Sequence, residues 1–239
     1  MTLYEVHNAL ASALGDPFAE SSSSLIKDGV RFSKTLRQKY LYRAAMSVLN
    51  EFIKQVVPLP QSQAAPVLAR LFPSLITLVL NDISDTGTFV LNVYDSGTNP
   101  SNYRVAFILS LMGRTSLDNP YEGRSIPIIS SYDFNKITSK ASYMQANDPI
   151  ACIDTVYPIS GSPEQNFYIR FNTGGTDFSG GFLETTFIRY PLNQDLSDGT
   201  VKFDFEDSFM NVILAKAALY GQSDGGDTNP SQIYPLLTQ

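Results

Sequence analysis

The sequence has few of the residues on which enzymes and metal sites depend. Its 239 residues include one cysteine, one histidine and no tryptophan. A single cysteine excludes an intrachain disulfide and makes a thiolate metal site within one chain nearly impossible. A single histidine, His7, excludes a multi-histidine metal site and leaves one candidate general base. Because His7 falls in a short predicted helix near the N-terminus, we expect it to be a surface side chain.

The sequence also lacks the common catalytic and nucleotide-binding motifs. It has no Gly-x-Ser-x-Gly, no Gly-x-x-x-x-Gly-Lys-Ser/Thr and no Gly-x-Gly-x-x-Gly after a predicted strand. Grouped carboxylates occur at Asp82 and Asp85, at Asp204, Glu206 and Asp207, and at Asp224 and Asp227. Their spacings do not match a calcium-binding loop, and turns, a helix end and a solvated tail explain them. We therefore predict no catalytic, cofactor-binding or metal-binding residues and no enzymatic activity.

Cys152 and a glycine-rich loop have equally simple explanations. Cys152 lies in the apolar run 149–153 with no cationic neighbour to lower its pKa, so a buried, inert thiol is expected. The loop 174–181 has enough glycines to surround an anion, yet it contains Asp177 and no lysine or arginine. A flexible hairpin tip is the favoured interpretation.

Charged residues are sparse, and negative charge predominates. They make up 17% of the chain, and the formal net charge is −6 at pH 7. Lys and Arg cluster only on the solvated face of one predicted helix. Since nucleic-acid affinity comes largely from phosphate contacts by cations, specific or tight DNA binding is not expected.

No targeting or membrane-spanning segment is expected. The N-terminus lacks a basic region followed by an apolar stretch and a small-residue cleavage site, which predicts no secretory signal and synthesis in a reducing cytosol. The most apolar segment, 67–80, is interrupted by Arg70 and Pro73 and is shorter than the roughly 20 residues that a bilayer requires. We predict that it is a core segment.

What the sequence does have is apolar and aromatic surface. Hydrophobic residues make up 43% of the chain, with 13 Tyr and 15 Phe, which suits a packed core and extensive protein contacts. Apolar spacing predicts short helices over 3–14 and 64–72 and a long core helix over 32–56. The apolar face of the long helix is formed by Leu41, Ala45, Val48, Leu49, Phe52, Ile53 and Val56.

From residue 75 onward the pattern changes to one typical of strands. The apolar runs are brief, β-branched or aromatic, and Gly, Asn, Asp and Pro separate them. This pattern predicts a mostly antiparallel β region. Its candidate strands are 88–94, 103–111, 126–129, 150–158, 167–172 and 182–190.

The last quarter of the chain predicts a strand, a polar crossover and one further helix. Residues 189–199 form the end of the strand and the crossover, and the helix covers 209–220. Asp204, Glu206 and Asp207 place negative charge before the helix, Ser208 can act as its N-cap, and Gly221 can form a left-handed C-cap. Apart from Lys216 the helix is apolar all round, which predicts burial on all sides, in part by a neighbouring subunit.

Two of these patterns resemble the head-to-tail connector proteins of tailed bacteriophages, also called adaptor or neck ring proteins. The crossover 189–199 and the helix after it are similar to the closing element of that family. The run 29–33, followed by Arg37, Tyr40, Leu41 and the pair Ala44 and Ala45, is similar to the start of its long first core helix. Both patterns also occur in the family's order.

The fold predicted from these patterns is α+β. The last helix is too apolar to stand alone, so it packs most economically on the helix 32–56, and the β region becomes an insertion into a helical module. The resemblance implies the same architecture. The predicted organisation is a helical connector module of residues 1–60 and 204–221, an inserted β domain of 61–203 and an extended C-terminal docking tail of 222–239.

The resemblance implies a structural virion protein with no enzymatic activity and no cofactor. It would be made in the host bacterial cytoplasm and form a homo-oligomeric ring, twelvefold like the portal, between the portal protein and downstream tail or neck proteins. DNA would pass through the lumen without specific binding, and no membrane would be involved. A capsid cement or tail component is the alternative within virions. A carboxylate-dependent hydrolase is the alternative from another class, although the absence of Trp counts against sugar stacking.

Protein contacts are predicted on the last helix and in the tail. The residues are Phe209, Ile213, Leu214 and Ala217 on the helix, and Ile233, Tyr234, Leu236 and Leu237 in the tail. The tail residues follow a polar, glycine-rich stretch, 221–231, that is typical of a flexible linker. An apolar tip beyond such a linker is expected to be covered by a partner, and in this family that partner is the portal.

Overall fold

The chain forms an α+β fold, as the sequence predicts. A computed structural model describes residues 1–17, 25–83, 88–92, 105–114, 123–139, 149–156, 166–172, 181–192 and 194–225. Its helices are α1 Leu3–Ala13, α2 Lys34–Val56, α3 Gln61–Leu71, α4 Ser131–Ser139 and α5 Met210–Gly225. Its strands are β1 Ile76–Ile83, β2 Thr88–Asn92, β3 Val105–Arg114, β4 Arg124–Ser125, β5 Ile128–Ile129, β6 Ile150–Val156, β7 Asn166–Asn172 and β8 Gly181–Arg189. None of the described helices is both long enough and apolar enough to cross a membrane.

These elements belong to two units. The helical unit comprises Met1–Pro58, Leu71–Leu75 and Tyr190–Gln239, and the sandwich unit comprises Leu59–Arg70 and Ile76–Arg189. The predicted boundary at 203 differs from this division, which assigns 190–203 to the helical unit. Backbone hydrogen bonds explain the difference, because Leu3 N–H donates to Val201 O (2.7 Å) and Tyr4 N–H donates to Gly199 O (2.9 Å).

The long core helix α2 is defined by a cap and by its buried face. The Ser33 hydroxyl accepts a hydrogen bond from Leu36 N–H (3.2 Å) at the start, and the helix ends at Val56, close to Pro58. Its buried residues are Arg37, Gln38, Tyr40, Leu41, Ala44, Ala45, Val48, Leu49 and Val56. Their spacing of three and four confirms the predicted core helix.

The last helix, α5, packs against α2, as predicted. An aromatic cluster of Phe52, Phe72, Phe205 and Phe209 forms one end of this contact. The rings of Phe72 and Phe209 stack with centroids 5.0 Å apart, and Phe52 meets Phe209 edge to face at 5.4 Å. Such aromatic pairs add about 0.5–1.5 kcal/mol each beyond their area burial, so the cluster ties the start of α5 to the end of α2.

Both predicted ends of α5 are wrong. A 3₁₀ turn over Asp207–Phe209 precedes the helix, and Ser208 lies inside that turn instead of capping it. At the other end the helix continues through Gly221 to Gly225. A Cβ atom on the buried Gly221 would lie 2.7 Å from Leu14 Cδ2. The close approach of Leu14 therefore requires glycine here, and no left-handed cap is formed.

His7 is a core residue of the helical unit, so the prediction of a surface side chain is wrong. It is fully buried, and its Nε2 lies 2.8 Å from Gln38 Oε1 of α2. Burial lowers the pKa of His7 to about 4, although the hydrogen bond to Gln38 acts in the opposite direction. His7 therefore packs as a neutral ring at pH 7.

Asp16 fixes the segment that leads into α2. Its carboxylate accepts hydrogen bonds from the N–H groups of Val30 (2.8 Å), Arg31 (2.9 Å) and Phe32 (2.8 Å). Burial opposes ionisation, but these three donors and the nearby Arg37 guanidinium hold the pKa of Asp16 below its ordinary value. The run 29–33, which carries part of the family resemblance, is thus a backbone segment held by one carboxylate.

The sandwich unit contains two four-stranded sheets with a shared core. One sheet has the order β1-β8-β3-β4 and the other has the order β2-β7-β6-β5. Of the described strand pairs, only β5 and β6 run parallel, so the mostly antiparallel prediction is confirmed. Side chains from both sheets form the core. They are Val105, Ile108, Leu111, Ile126, Ala151, Ile169, Phe171, Leu183 and Phe187.

Three elements of this unit were not predicted: β1, β4 and α4. Residues 76–80 were interpreted as part of the core segment 67–80, but they lie in the edge strand β1. α4 starts at a local cap, where Asp133 N–H donates to Ser130 Oγ (3.1 Å), and it buries Phe134 beside Ile150 and Cys152.

Replacing Gly221 with alanine tests the close approach of Leu14. In an exposed helix interior, alanine is more favourable than glycine by about 1 kcal/mol. Adding a methyl group to a well-packed core, however, costs about 1–3 kcal/mol. We expect Gly221→Ala to lower the free energy of unfolding, measured by chemical denaturation, while Asn211→Ala at an exposed position of α5 leaves it unchanged or raises it. Stabilisation by Gly221→Ala would show that the contact with Leu14 is loose.

The buried His7 predicts a loss of stability in acid. Between pH 6.5 and about pH 4 the unfolded chain binds a proton at His7 that the folded chain does not, so the free energy of unfolding falls as the pH falls. When the pH is lowered from 7 to 4.5, the free energy of unfolding of the native protein should fall by about 2–3 kcal/mol more than that of the His7→Asn variant. Only the change with pH is compared, so any loss from the substitution itself cancels. Equal pH dependence in the two proteins would contradict a buried neutral His7.

Candidate interaction surface

The predicted contact residues of α5 lie mostly in the core of the helical unit. Ile213, Leu214 and Ala217 are buried by the unit itself, and Phe209 is half-buried in the aromatic cluster. These side chains leave almost no surface for a partner, so their assignment as contact residues is wrong in this fold. The sequence shows that α5 is apolar all round, but it does not show which side α1 and α2 cover.

The outward side of α5 nevertheless keeps apolar surface. Val212 and Leu219, two helical turns apart, are 41% and 47% exposed. Lys216 lies between them and reaches back to α2, where its ammonium pairs with the Glu51 carboxylate. Within the helical unit, α5 is therefore not buried on all sides. The predicted tail contacts Ile233, Tyr234, Leu236 and Leu237 lie outside the described residues and stay predictions.

A groove follows the outer side of α2. It consists of two adjoining cavities of about 570 and 820 Å³ that share Lys39 and Tyr42. Its other walls are residues 194–197 of the crossover and Tyr220 of α5. The groove therefore follows α2 from its first residue, Lys34, to Lys54 in its last turn.

The groove carries more positive than negative charge, and we call it the basic groove. Its cations are Lys34, Lys39, Arg43 and Lys54, and its carboxylates are Glu51 and Asp195. Among the residues that the structure describes, Lys39 and Lys54 form no ion pair. α2 has five Lys and Arg residues and one Glu, so its net charge is +4. Because the whole chain has a net charge of −6, the residues outside α2 together carry −10.

Contacts between α2 and α5 shape the wall of the basic groove. The guanidinium carbon of Arg43 lies 4.2 Å from the centroid of the Tyr220 ring, which is a cation–π contact. Lys216 Nζ also donates to Ser47 Oγ (3.3 Å). Arg43 therefore lies beside aromatic and thioether surface from Tyr42, Tyr220 and Met46, and arginine, aromatic residues and methionine are all enriched in protein interfaces.

The basic groove was not predicted, although the sequence contains a signal for it. The polar face of α2 carries two large apolar or aromatic side chains, Tyr42 and Met46, among its cations. An ordinary solvated face has polar residues and paired charges instead. The cations were recognised, but they were assigned to a solvated helix face. Tyr220 could not have been placed beside them without the antiparallel packing of α5 on α2.

The other candidate residues have structural contacts. Asp204 accepts from Leu192 N–H (2.9 Å), and Asp207 pairs with the amine of Met1. No group of three His, Cys, Asp or Glu side chains within the described ranges could hold a metal ion. The residues of loop 174–181 before β8 and the carboxylates Asp85 and Asp227 lie outside those ranges.

Cys152 is buried, as predicted, but it has a cationic neighbour across the sheet. Its partner in β7 is Arg170, which also pairs with Asp154. Burial raises the pKa of the Cys152 thiol even though Arg170 favours the thiolate. Sequence neighbours could not reveal Arg170, because it comes from another strand.

The sandwich unit has an exposed apolar row of its own. Ile76, Leu78 and Leu80 alternate along β1 and are exposed, while Val79 between them packs on the core. β1 is an edge strand of its sheet. Exposed apolar rows on edge strands are sites where other chains add, so this row is a second candidate surface.

No family model matches this chain, and no characterised protein matches it in sequence. The connector resemblance therefore stays an interpretation of the residue patterns given above. The observed surfaces are the evidence on which a function can be proposed.

A matched pair of substitutions on α5 separates core from surface. Ile213→Ala should lower the free energy of unfolding by about 2–5 kcal/mol, because it removes a fully buried side chain. Leu219→Ala, six residues along the same helix at a half-exposed position on its other face, should change it by about 0.5 kcal/mol or less. Denaturant titration measures both. A large loss at Leu219 with none at Ile213 would reverse the assignment of the two faces.

Proposed function

We propose that this protein is a structural subunit of the head-to-tail connector of a tailed bacteriophage. In this role it forms a closed ring between the portal protein and the downstream tail or neck proteins. The resemblance in residues 29–45 and 189–220 suggests the family and, with it, a twelvefold ring. The packing of α5 on α2, with the β-sandwich inserted between them in sequence, agrees with that architecture.

The observation that carries the proposal is the exposed face formed by α2 and α5. Val212 and Leu219 stay exposed on a helix whose other apolar side chains are buried, and the basic groove with its tyrosines lies along the neighbouring helix. Exposed apolar side chains next to tyrosines and an arginine are typical of a surface that another protein covers. A ring subunit needs such a surface for its neighbour and further surfaces for the portal or tail. The exposed apolar row on β1 is suited to one of these further contacts.

The charge of the chain fits the passage of DNA through a ring. The net charge of −6 gives no overall attraction for phosphates, so a genome could move past such subunits without adhering. In this proposal the protein is made in the host cytoplasm, works in the virion and needs no cofactor. The alternative roles of capsid cement, tail component or hydrolase have no observation in the described residues that favours them.

The proposal predicts an oligomer whose formation depends on the outward face of α5. Mass photometry and sedimentation velocity of the protein, alone and with the portal protein of the same virus, should show closed rings. Val212→Ser combined with Leu219→Ser should weaken assembly about tenfold or more, because both side chains lose their apolar contact. Val30→Ser, which changes a fully exposed valine outside this face, is the control and should assemble normally. A native protein that stays monomeric alone and with the portal would contradict the proposal.

A further inference from the structure

The basic groove has a counterpart of opposite charge on the same unit. We call residues 198–207 the acidic segment; it contains Asp198, Asp204, Glu206, Asp207 and one lysine, Lys202, a net charge of −3. Asp198 and Asp207 are exposed, and the other two carboxylates are half-buried. None of the residues of this segment lines the basic groove. One subunit therefore presents a basic surface and an acidic one, which adjoin where Gln194 Nε2 of the groove wall donates to Lys202 O of the acidic segment (2.6 Å).

We infer that the basic groove of one subunit receives the acidic segment of the next copy of the same chain. This inference rests on the proposed function, and it specifies which surfaces meet in the ring. A contact between two different surfaces is heterologous, so each subunit can use its groove for one neighbour and its segment for the other. Repetition of that contact closes a ring when the rotation between neighbours divides a full turn and otherwise gives an open filament, whereas a contact of one surface with itself would stop at a dimer.

Charge identifies a second copy as the occupant. The groove has cations, Lys39 and Lys54, that form no ion pair among the described residues, so a carboxylate partner can neutralise them without breaking an existing pair. Outside α2 the chain carries a net charge of −10. A second copy therefore presents acidic surface to the groove. Oppositely charged patches also speed association and fix its register.

The groove suits protein better than DNA. Tyr42, Tyr220 and Met46 offer apolar contact area to a polypeptide. Binding of duplex DNA is therefore the outcome against which the inference is tested.

A complementation experiment tests the two surfaces together. The groove variant carries Lys39→Glu and Arg43→Glu, and the segment variant carries Asp198→Asn and Glu206→Lys. Asparagine can still accept the hydrogen bonds from Thr200 that Asp198 now accepts, so the local turn is kept. Thermal melts and circular dichroism establish that each variant is folded before assembly is measured.

Each variant alone should assemble at least tenfold more weakly than the native chain, because the groove variant places like charges opposite each other and the segment variant loses the net charge of its segment. Mixed in equal amounts, they should associate at least as one-to-one dimers, since the intact groove of the segment variant can meet the intact segment of the groove variant. Single substitutions give the matched control: Lys39→Glu should weaken assembly, and Lys27→Glu, the same charge change outside the groove, should not. Assembly of the native chain should also weaken with rising salt, which screens charges over about 10 Å at 0.1 M.

Three results would overturn the inference. Normal assembly of both variants would show that these surfaces do not meet, and it would leave the ring proposal intact. A mixture that stays monomeric would show that the groove and the segment do not face each other. Loss of duplex DNA binding in the groove variant, with assembly unchanged, would assign the groove to nucleic acid. Failure of the ring proposal itself is recognised separately, by a native chain that stays monomeric with the portal.

Discussion

The packing of α5 on α2 is the constraint on which the helical unit depends. The two helices are separated in sequence by the whole sandwich unit, yet the aromatic cluster of Phe52, Phe72, Phe205 and Phe209 joins the end of one to the start of the other. Phe72 comes from the short segment Leu71–Leu75, so three distant parts of the chain meet in one cluster. Local helix propensity cannot supply such a contact, since most helical stability in proteins comes from tertiary packing.

The same packing decides which surfaces remain for partners. Because α1 and α2 cover Ile213, Leu214 and Ala217, only Val212 and Leu219 stay exposed among the large apolar side chains of α5. Because α5 runs beside α2, Tyr220 meets Arg43 and closes the basic groove. The acidic segment lies just before α5 in sequence. Backbone hydrogen bonds join its residues 199, 201 and 203 to residues 4, 3 and 1 of the N-terminus.

The fold class and the main elements could be predicted from the sequence because they rest on local patterns. Apolar spacing in α2 and β-branched runs in the strands persist whatever the tertiary structure is. Several of the misses depend on distant partners. The buried His7 is hydrogen-bonded to Gln38 of α2, and Gly221 is required because Leu14 approaches it closely. Cys152 has Arg170 as its pairing partner on the adjacent strand β7. The contact face of α5 was misassigned for the same reason, since an all-apolar helix gives no sign of which side is covered.

Cross-linking between isotopically distinct subunits tests the central claim, that the basic groove meets the acidic segment of a neighbouring copy. Native protein labelled with ¹⁵N is mixed with unlabelled protein before assembly, and a carbodiimide joins lysines to carboxylates that are in direct contact. The account predicts cross-links between peptides of different isotope content that connect Lys39 or Lys54 to Asp198, Glu206 or Asp207. Assembled rings whose mixed-isotope cross-links connect other surfaces, with none between these residues, would contradict it.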